Sequence, residues 1–306
     1  MTGRVVTRSK SRTAPVDTIS GIRTRVLESD GGGSTVLLVH GYSDSADGWR
    51  AVMDRVASGG HRAVAVDLPY HGRAERPIGT SFFGVVDDFV AAAVQKYGDG
   101  ANVVVVGNSV GGTSALRVAQ RAGLPLAAVI AIGPAGLATP MWMKLAHRIT
   151  PAGRRLLGRD SRSVLRGTNT APALISAAFA RAVAGGHMPA DARLQYASHW
   201  GPGDLRRQLL LGGATIAELI APDVLDSKPF HVPVTAAWGA KDWISPARGA
   251  AALLRSHSEV TIRTLPGTGH CPQYDRPDLV AELIADVHRA LAQSTRNGHV
   301  IQEEDS

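Results

Sequence analysis

Six short runs rich in β-branched and other apolar residues constrain this chain more than any other feature: Thr35 to Val39, Ala63 to Asp67, Asn102 to Val106, Ala127 to Ile132, Val234 to Trp238 and Val260 to Leu265. A strand with one wet face alternates polar and apolar residues. A run that is apolar almost throughout reads instead as a strand covered on both faces, the condition of a parallel sheet held between helices. Stretches of helical period lie between the runs, at Trp49 to Ala57, Val85 to Tyr97, Ser109 to Arg121, Ala247 to Arg255 and Leu279 to Leu291. Strand alternating with helix predicts an α/β protein with a doubly wound, mostly parallel sheet. The alternating segment Thr18 to Glu28 predicts antiparallel strands at its flank.

The alternation stops over 134–228 and resumes at Val234, so this segment, helical in pattern and punctuated by Pro and Gly, reads as an insertion between two neighbouring strands. The expected organisation is a core formed by 1–133 and 229–293, the insertion 134–228, and a polar tail, 294–306, expected to be disordered. The insertion holds ten Arg and two Lys against five Asp and one Glu, which gives it all but one unit of the chain's +7 net charge. That excess is either a solvated basic face or a field that gathers anions at whatever the insertion covers.

Composition removes several classes. A chain of 306 residues with 44% hydrophobic residues has material for a sizeable core. Its single cysteine, Cys271, allows neither an intramolecular disulfide nor a multi-cysteine zinc site. No stretch approaches the roughly 20 apolar residues of a membrane span, and the first fifteen residues lack a signal peptide's apolar region. A cytoplasmic protein without stable membrane insertion is expected. The basic residues Arg4, Arg8, Lys10 and Arg12 lack interleaved aromatics, so no nucleic-acid partner is expected. Neither a Rossmann nor a Walker glycine pattern is present, and His147, His187 and His199 lack ligand spacing; no cofactor and no metal are expected.

The run Asn102 to Val106 leads into Gly107-Asn108-Ser109-Val110-Gly111-Gly112 and then a helical stretch. Strand, G-x-S-x-G and helix in this order describe a sharp turn that projects the serine hydroxyl, with glycines allowing close approach of helix and strand. The Val110 amide falls at a helix N-terminus, where N–H groups lack intrahelical partners and negative charge is favoured. A serine hydroxyl needs an imidazole base, itself oriented by a carboxylate. Asp242 follows the run ending at Trp238, and His270 follows the run ending at Leu265. Ser109, Asp242 and His270 are therefore the candidate nucleophile, orienting carboxylate and base. Asp44 and Asp67 are alternative carboxylates, but neither follows the strand after the insertion. His40 and His71 are expected to hold loops.

These motifs resemble the α/β-hydrolase superfamily in its cap-bearing serine hydrolase form, over about Thr18 to Leu291. His40-Gly41-Tyr42 resembles the family's H-G-x oxyanion loop, which implies that the backbone N–H groups of Tyr42 and Val110 form an oxyanion hole. Asp67-Leu68-Pro69-Tyr70-His71-Gly72 resembles a D-x-P-G-H-G stretch, with Tyr70 where Gly is usual. The resemblance implies a mostly parallel sheet of the eight-stranded type with helices on both faces, and a helical cap formed by the insertion. The function it implies is cleavage of a carboxylic ester or related acyl bond, thioester or lactone, in a small and partly hydrophobic substrate. Alternatives are a carbon–carbon bond hydrolase of ring-fission products, weakly echoed in Gln273 and Tyr274, or a ligand receptor without turnover. An anionic group on the substrate would suit the basic insertion. Trp142, Phe179, Tyr196 and Trp200 either line the pocket or, as expected here, pack the cap.

Overall fold

A computed structural model describes residues 12–13, 16–78, 81–98, 103–158, 178, 181–182, 188–198, 204–221 and 223–304. Eight strands form one sheet in the order β1 (Arg12–Thr13), β4 (Val26–Ser29), β6 (Arg62–Val66), β5 (Thr35–Val39), β7 (Val103–Asn108), β8 (Leu126–Ile132), β9 (Val234–Gly239) and β10 (Thr261–Leu265). β1 and β4 run antiparallel to their neighbours, and every other pairing is parallel. Of the alternating N-terminal segment only β4 joins this sheet. β2 (Asp17–Ile19) and β3 (Ile22–Thr24) turn back on each other through Ser20 and Gly21, both at positive φ, as a separate hairpin.

Five of the six apolar runs are buried on both faces, as their lack of alternation predicts; the sixth, β10, lies at the sheet edge and leaves Thr261, Arg263 and Thr264 exposed. Leu37, Val39, Val64, Val105 and Val129 pack on one side with helices α2 (Phe82–Tyr97) and α3 (Val110–Ala119). Their neighbours Val36, Leu38, Ala63, Val104 and Ile130 pack on the other with α1 (Arg50–Ser58) and α9 (Pro277–Glu304). Each strand thus feeds two cores through its period of two. The described helices of 134–228 are α4 (Met141–Gly158), α5 (Ala190–Ser198) and α6 (Asp204–Leu219), all between β8 and β9. After β9 come α7 (Arg248–Ser256), then β10, the short α8 (Pro272–Asp275) and α9. The expected disordered tail is not what the structure shows, since α9 continues to Glu304. No Pro follows Pro277 in α9, so every later residue keeps the N–H that a helix needs, and polarity alone does not end it.

The chain leaves β5 toward β6 on one side and returns to β7 on the other. The carboxyl ends of β5 and β7 therefore flank the point where the strand order reverses, which is where open α/β sheets bind ligands.

Candidate active site

Ser109 sits between β7 and α3 with φ 55° and ψ −119°, a strained conformation for a residue with a side chain. Surrounding contacts hold it there. Its N–H donates to Ile132 O at 2.9 Å, and its carbonyl accepts from Thr113 N at 3.0 Å. The flanking glycines are required by contact, because a Cβ on Gly107 would lie 2.2 Å from Gly111 O and one on Gly111 would lie 2.5 Å from His40 O.

Asp242 and His270 meet from adjacent strand ends. Asp242 Oδ1 accepts from Ile244 N and Ser245 N, each at 2.9 Å, which fixes the carboxylate and turns Oδ2 to His270 Nδ1 at 2.8 Å. A carboxylate only accepts, so this contact places the ring proton on Nδ1 and leaves Nε2 as the basic nitrogen. Both side chains are almost fully buried. Gly133, at φ +50°, lies beneath the pair; a Cβ there would stand 2.9 Å from Asp242 Oδ2 and 3.4 Å from His270 Nδ1.

Asn108 was not singled out by sequence, although the G-N-S form of the elbow carries it. Its Nδ2 donates to His270 O at 2.8 Å and Ile132 O at 3.2 Å, while Oδ1 accepts from Gln273 Nε2 at 3.1 Å. The residue before the serine therefore ties the β7 end to the histidine loop.

Ser109, His270, Tyr42 and Val110 all line one cavity of about 530 Å³, a size suited to a small molecule. No direct hydrogen bond joins Ser109 Oγ to the His270 ring; such contacts often tighten only when substrate is bound. Val110 opens α3, so its N–H has no intrahelical acceptor. Tyr42 is pinned by its hydroxyl, which donates to Gln208 O on α6. Trp142, Met143, Tyr196, Thr215, Ile216 and Leu219 supply the opposite wall from the 134–228 segment. This corrects the expectation that Trp142 and Tyr196 only pack the cap: both face the cavity, because the polar hydroxyl or ring N–H of an amphipathic aromatic suits a binding wall. Phe179 and Trp200, like His187 and His199, lie outside the described residues, as do Arg4, Arg8 and Lys10.

The remaining candidates hold the framework. Asp67 accepts from Arg25 Nε at 2.9 Å, from Ala46 N and Arg73 N at 2.8 Å each, and lies far from the imidazole base in its bonding. Arg25 also pairs with Asp47 at 2.7 Å, so a buried cation knots three loops. His40 Nε2 accepts from Leu68 N at 2.9 Å, and His71 Nδ1 bonds Pro69 O at 2.9 Å. Tyr70, the departure from Gly, has φ 73°; a left-handed backbone here explains why Gly is the usual residue. Asp44 is buried against Tyr274 and lines the cavity. Among the described residues no group of three or more His, Cys, Asp or Glu could hold a metal ion, and no helix is long and apolar enough to cross a membrane.

Fold and site together define a hydrolase of the α/β type, and comparison with known proteins agrees. Residues 36–283 match the alpha/beta hydrolase family, to which this chain belongs. It is 33% identical over 118 residues to a dihydrolipoyllysine-residue acetyltransferase component of the acetoin cleaving system of Cupriavidus necator, covering 39% of this chain and 31% of that protein. The counterpart from Pseudomonas putida is 26% identical over 263 residues, covering 86% of this chain and 65% of that protein. The chain thus spans from about a third to just under two thirds of the length of these relatives. Among solved structures, wild-type Cfl2 from Burkholderia cenocepacia superposes with a TM-score of 0.71 at 22% identity, over 89% of this chain and 94% of that one, a likeness of fold.

Proposed function

We propose that the chain is a serine hydrolase that cleaves a carboxylic ester, thioester or lactone of a small, partly hydrophobic substrate by way of an acyl-enzyme. The observation that carries the reading is the strained Ser109 sharing a cavity with an imidazole whose Nδ1 is held by Asp242. His270 Nε2 takes the Ser109 proton as Oγ attacks the carbonyl carbon. The Tyr42 and Val110 N–H groups receive the negative charge that develops on the carbonyl oxygen. Asp242 keeps the tautomer and stabilises the imidazolium, which then returns the proton to the leaving group; water resolves the acyl-enzyme by the same steps. No cofactor or metal enters this scheme. The segment 134–228 acts as a cap that shapes the substrate side of the cavity.

The wall holds no Lys or Arg among the described residues, and Lys144, Arg148 and Arg181 of the cap are exposed. The cap's charge therefore acts on an anionic substrate at a distance, through steering that salt weakens. Comparing kcat/KM for matched neutral and anionic esters across ionic strength tests this; a salt-independent ratio removes the role.

The central test is a panel of esters, thioesters, lactones and vinylogous 1,5-diketones assayed with the wild type and Ser109→Ala, together with mass mapping of an organophosphonate adduct. Ester turnover lost in Ser109→Ala and an adduct on Ser109 are expected. Labelling or turnover that survives the substitution overturns the assignment, and turnover of the diketones alone moves the reading to carbon–carbon bond cleavage.

A further inference from the structure

The polar side chains in the cavity wall spend their donors on the protein itself. The Thr215 hydroxyl donates to Leu211 O at 3.0 Å, one turn back along α6, and the Ser245 hydroxyl donates to Pro134 O at 2.7 Å. The Tyr42 hydroxyl is given to Gln208 O. Both N–H bonds of the Asn108 amide are in use, on His270 O at 2.8 Å and Ile132 O at 3.2 Å, and the Cys271 thiol donates to Asn108 Oδ1 at 3.4 Å. Asp44 is closed to the cavity in its own way. Its Oδ1 accepts from Ser45 N and the Tyr274 hydroxyl, and its Oδ2 is buried beside Gly48, which is not part of the wall.

Three further donors in the wall are placed differently. Trp142 is 38% exposed and Ser43 is half-buried, so both stand where water reaches. Tyr196 is fully buried, within the electrostatic reach of Tyr274. The body of the wall is otherwise apolar, supplied by Val110, Ala135, Met143, Ile216, Leu219 and Ile244 with several small Gly and Ala residues. An oxygen carried into such a wall leaves its water behind and receives no donor in exchange, which costs binding, whereas a methylene gains by the same transfer.

We propose that the cavity selects an acyl group that is hydrocarbon throughout, with no oxygen or nitrogen beyond the scissile carbonyl. The carbonyl oxygen itself is served by the Tyr42 and Val110 N–H groups. The inference rests on the proposed reading of the cavity as that of a serine hydrolase and names the substrate class within it. The acyl group is the part selected in this way, because it stays bonded to Ser109 through both halves of the reaction, while the leaving group departs after the first. An anionic group drawn by the cap's field then belongs on the leaving group, outside the apolar wall. Vinylogous 1,5-diketones carry a second carbonyl oxygen into the wall and fit it less well than plain alkanoyl esters.

The test compares 4-nitrophenyl heptanoate with the butanoate and with two ether isosteres, 4-nitrophenyl 5-methoxypentanoate and 4-nitrophenyl 4-ethoxybutanoate. Each isostere replaces one methylene of the heptanoate by oxygen at unchanged length, and the leaving group is common to all four. From butanoate to heptanoate kcat/KM rises roughly fourfold per added methylene. Each ether falls roughly 10-fold or more below the heptanoate. An ether that matches the heptanoate marks a donor in the wall and overturns the proposal, as does a series indifferent to chain length. Calorimetric affinities of Ser109→Ala for methyl heptanoate and methyl 5-methoxypentanoate repeat the comparison without turnover. Tighter binding of the heptanoate beside a wild type that turns over none of the esters overturns the hydrolase reading and upholds the apolar selection. Turnover by the wild type with equal rates and equal affinities overturns the selection and leaves the hydrolase reading in place.

Discussion

Glu218, near the end of α6, accepts hydrogen bonds from the backbone N–H of Phe82 at 2.6 Å, at the very start of α2. Phe83 N at 3.0 Å and the Ser81 hydroxyl at 2.9 Å complete the contact. The single Glu of the 134–228 segment thus serves as a capping carboxylate for a helix of the core, where unpaired N–H groups and the helix dipole favour negative charge. Glu218→Ala should cost about 1 to 2 kcal/mol, read as a lower thermal midpoint. It should also raise KM more than it lowers kcat, because α6 supplies Thr215, Ile216 and Leu219 to the cavity wall. Glu218→Gln, which keeps a neutral acceptor, should recover part of both losses.

Asp242→Asn should lower kcat by about 10³ to 10⁴, measured on any turned-over ester, with little change in the thermal midpoint. Asparagine keeps an Oδ1 acceptor for Ile244 N and Ser245 N but confronts His270 with an amide. The imidazole then loses the acceptor that selects its tautomer.

Gly133→Ala should impair turnover more than stability. The added methyl group, at a backbone φ of +50°, meets Asp242 Oδ2 and His270 Nδ1 and must displace them. A cost of about 1 to 2 kcal/mol in unfolding free energy beside a loss of activity of tenfold or more is expected; unchanged kcat would mean that the pair tolerates a shift.

Arg25→Met should destabilise the fold by about 3 to 5 kcal/mol, since it strands the buried Asp67 without its cation and leaves Asp47 with Arg50 alone. Urea unfolding measures this. Because Asp67 also receives Ala46 N, a few residues after the cavity-lining Gly41, Tyr42 and Ser43, activity should fall in the surviving folded fraction.

The Asp44 carboxyl, raised by burial to about 7 in the folded chain, has an unfolded value near 3.9. Between these values the folded state holds a proton that the unfolded state has released, so this group's contribution to stability falls as pH rises from about 4 to 7 and is level above. Asp44→Asn lacks that term. Urea midpoints of the two proteins should therefore shift in favour of the variant as pH rises from about 5 to 8.

The residues legible in the sequence share one property: each follows a strand whose apolar run is unmistakable. Ser109, Asp242 and His270 can be placed together from the sequence because strand ends of a parallel sheet gather on one edge. Asn108, Glu218 and Arg25 cannot, since their partners lie far along the chain and nothing local marks them. Asp44 was read as a rival to Asp242, and only its meeting with Tyr274, 230 residues away, shows its different surroundings. The hairpin of β2 and β3 escaped for another reason. Alternation marks strands without naming the sheet they join.

One cavity walled by two separate stretches of chain divides the protein's tasks genetically. In the proposed reading the strand ends of the core carry the bond-breaking groups, while α4, α5 and α6 supply Trp142, Met143, Tyr196, Thr215, Ile216 and Leu219 to the cavity wall. Exchanging 134–228 for the corresponding segment of a relative should hand over substrate choice while leaving the reaction in place, provided the exchanged segment keeps a carboxylate for Phe82 and a carbonyl for Tyr42. Selectivity in this molecule would then be a transplantable module, grafted along the hydrogen-bonded seams that join it to the core.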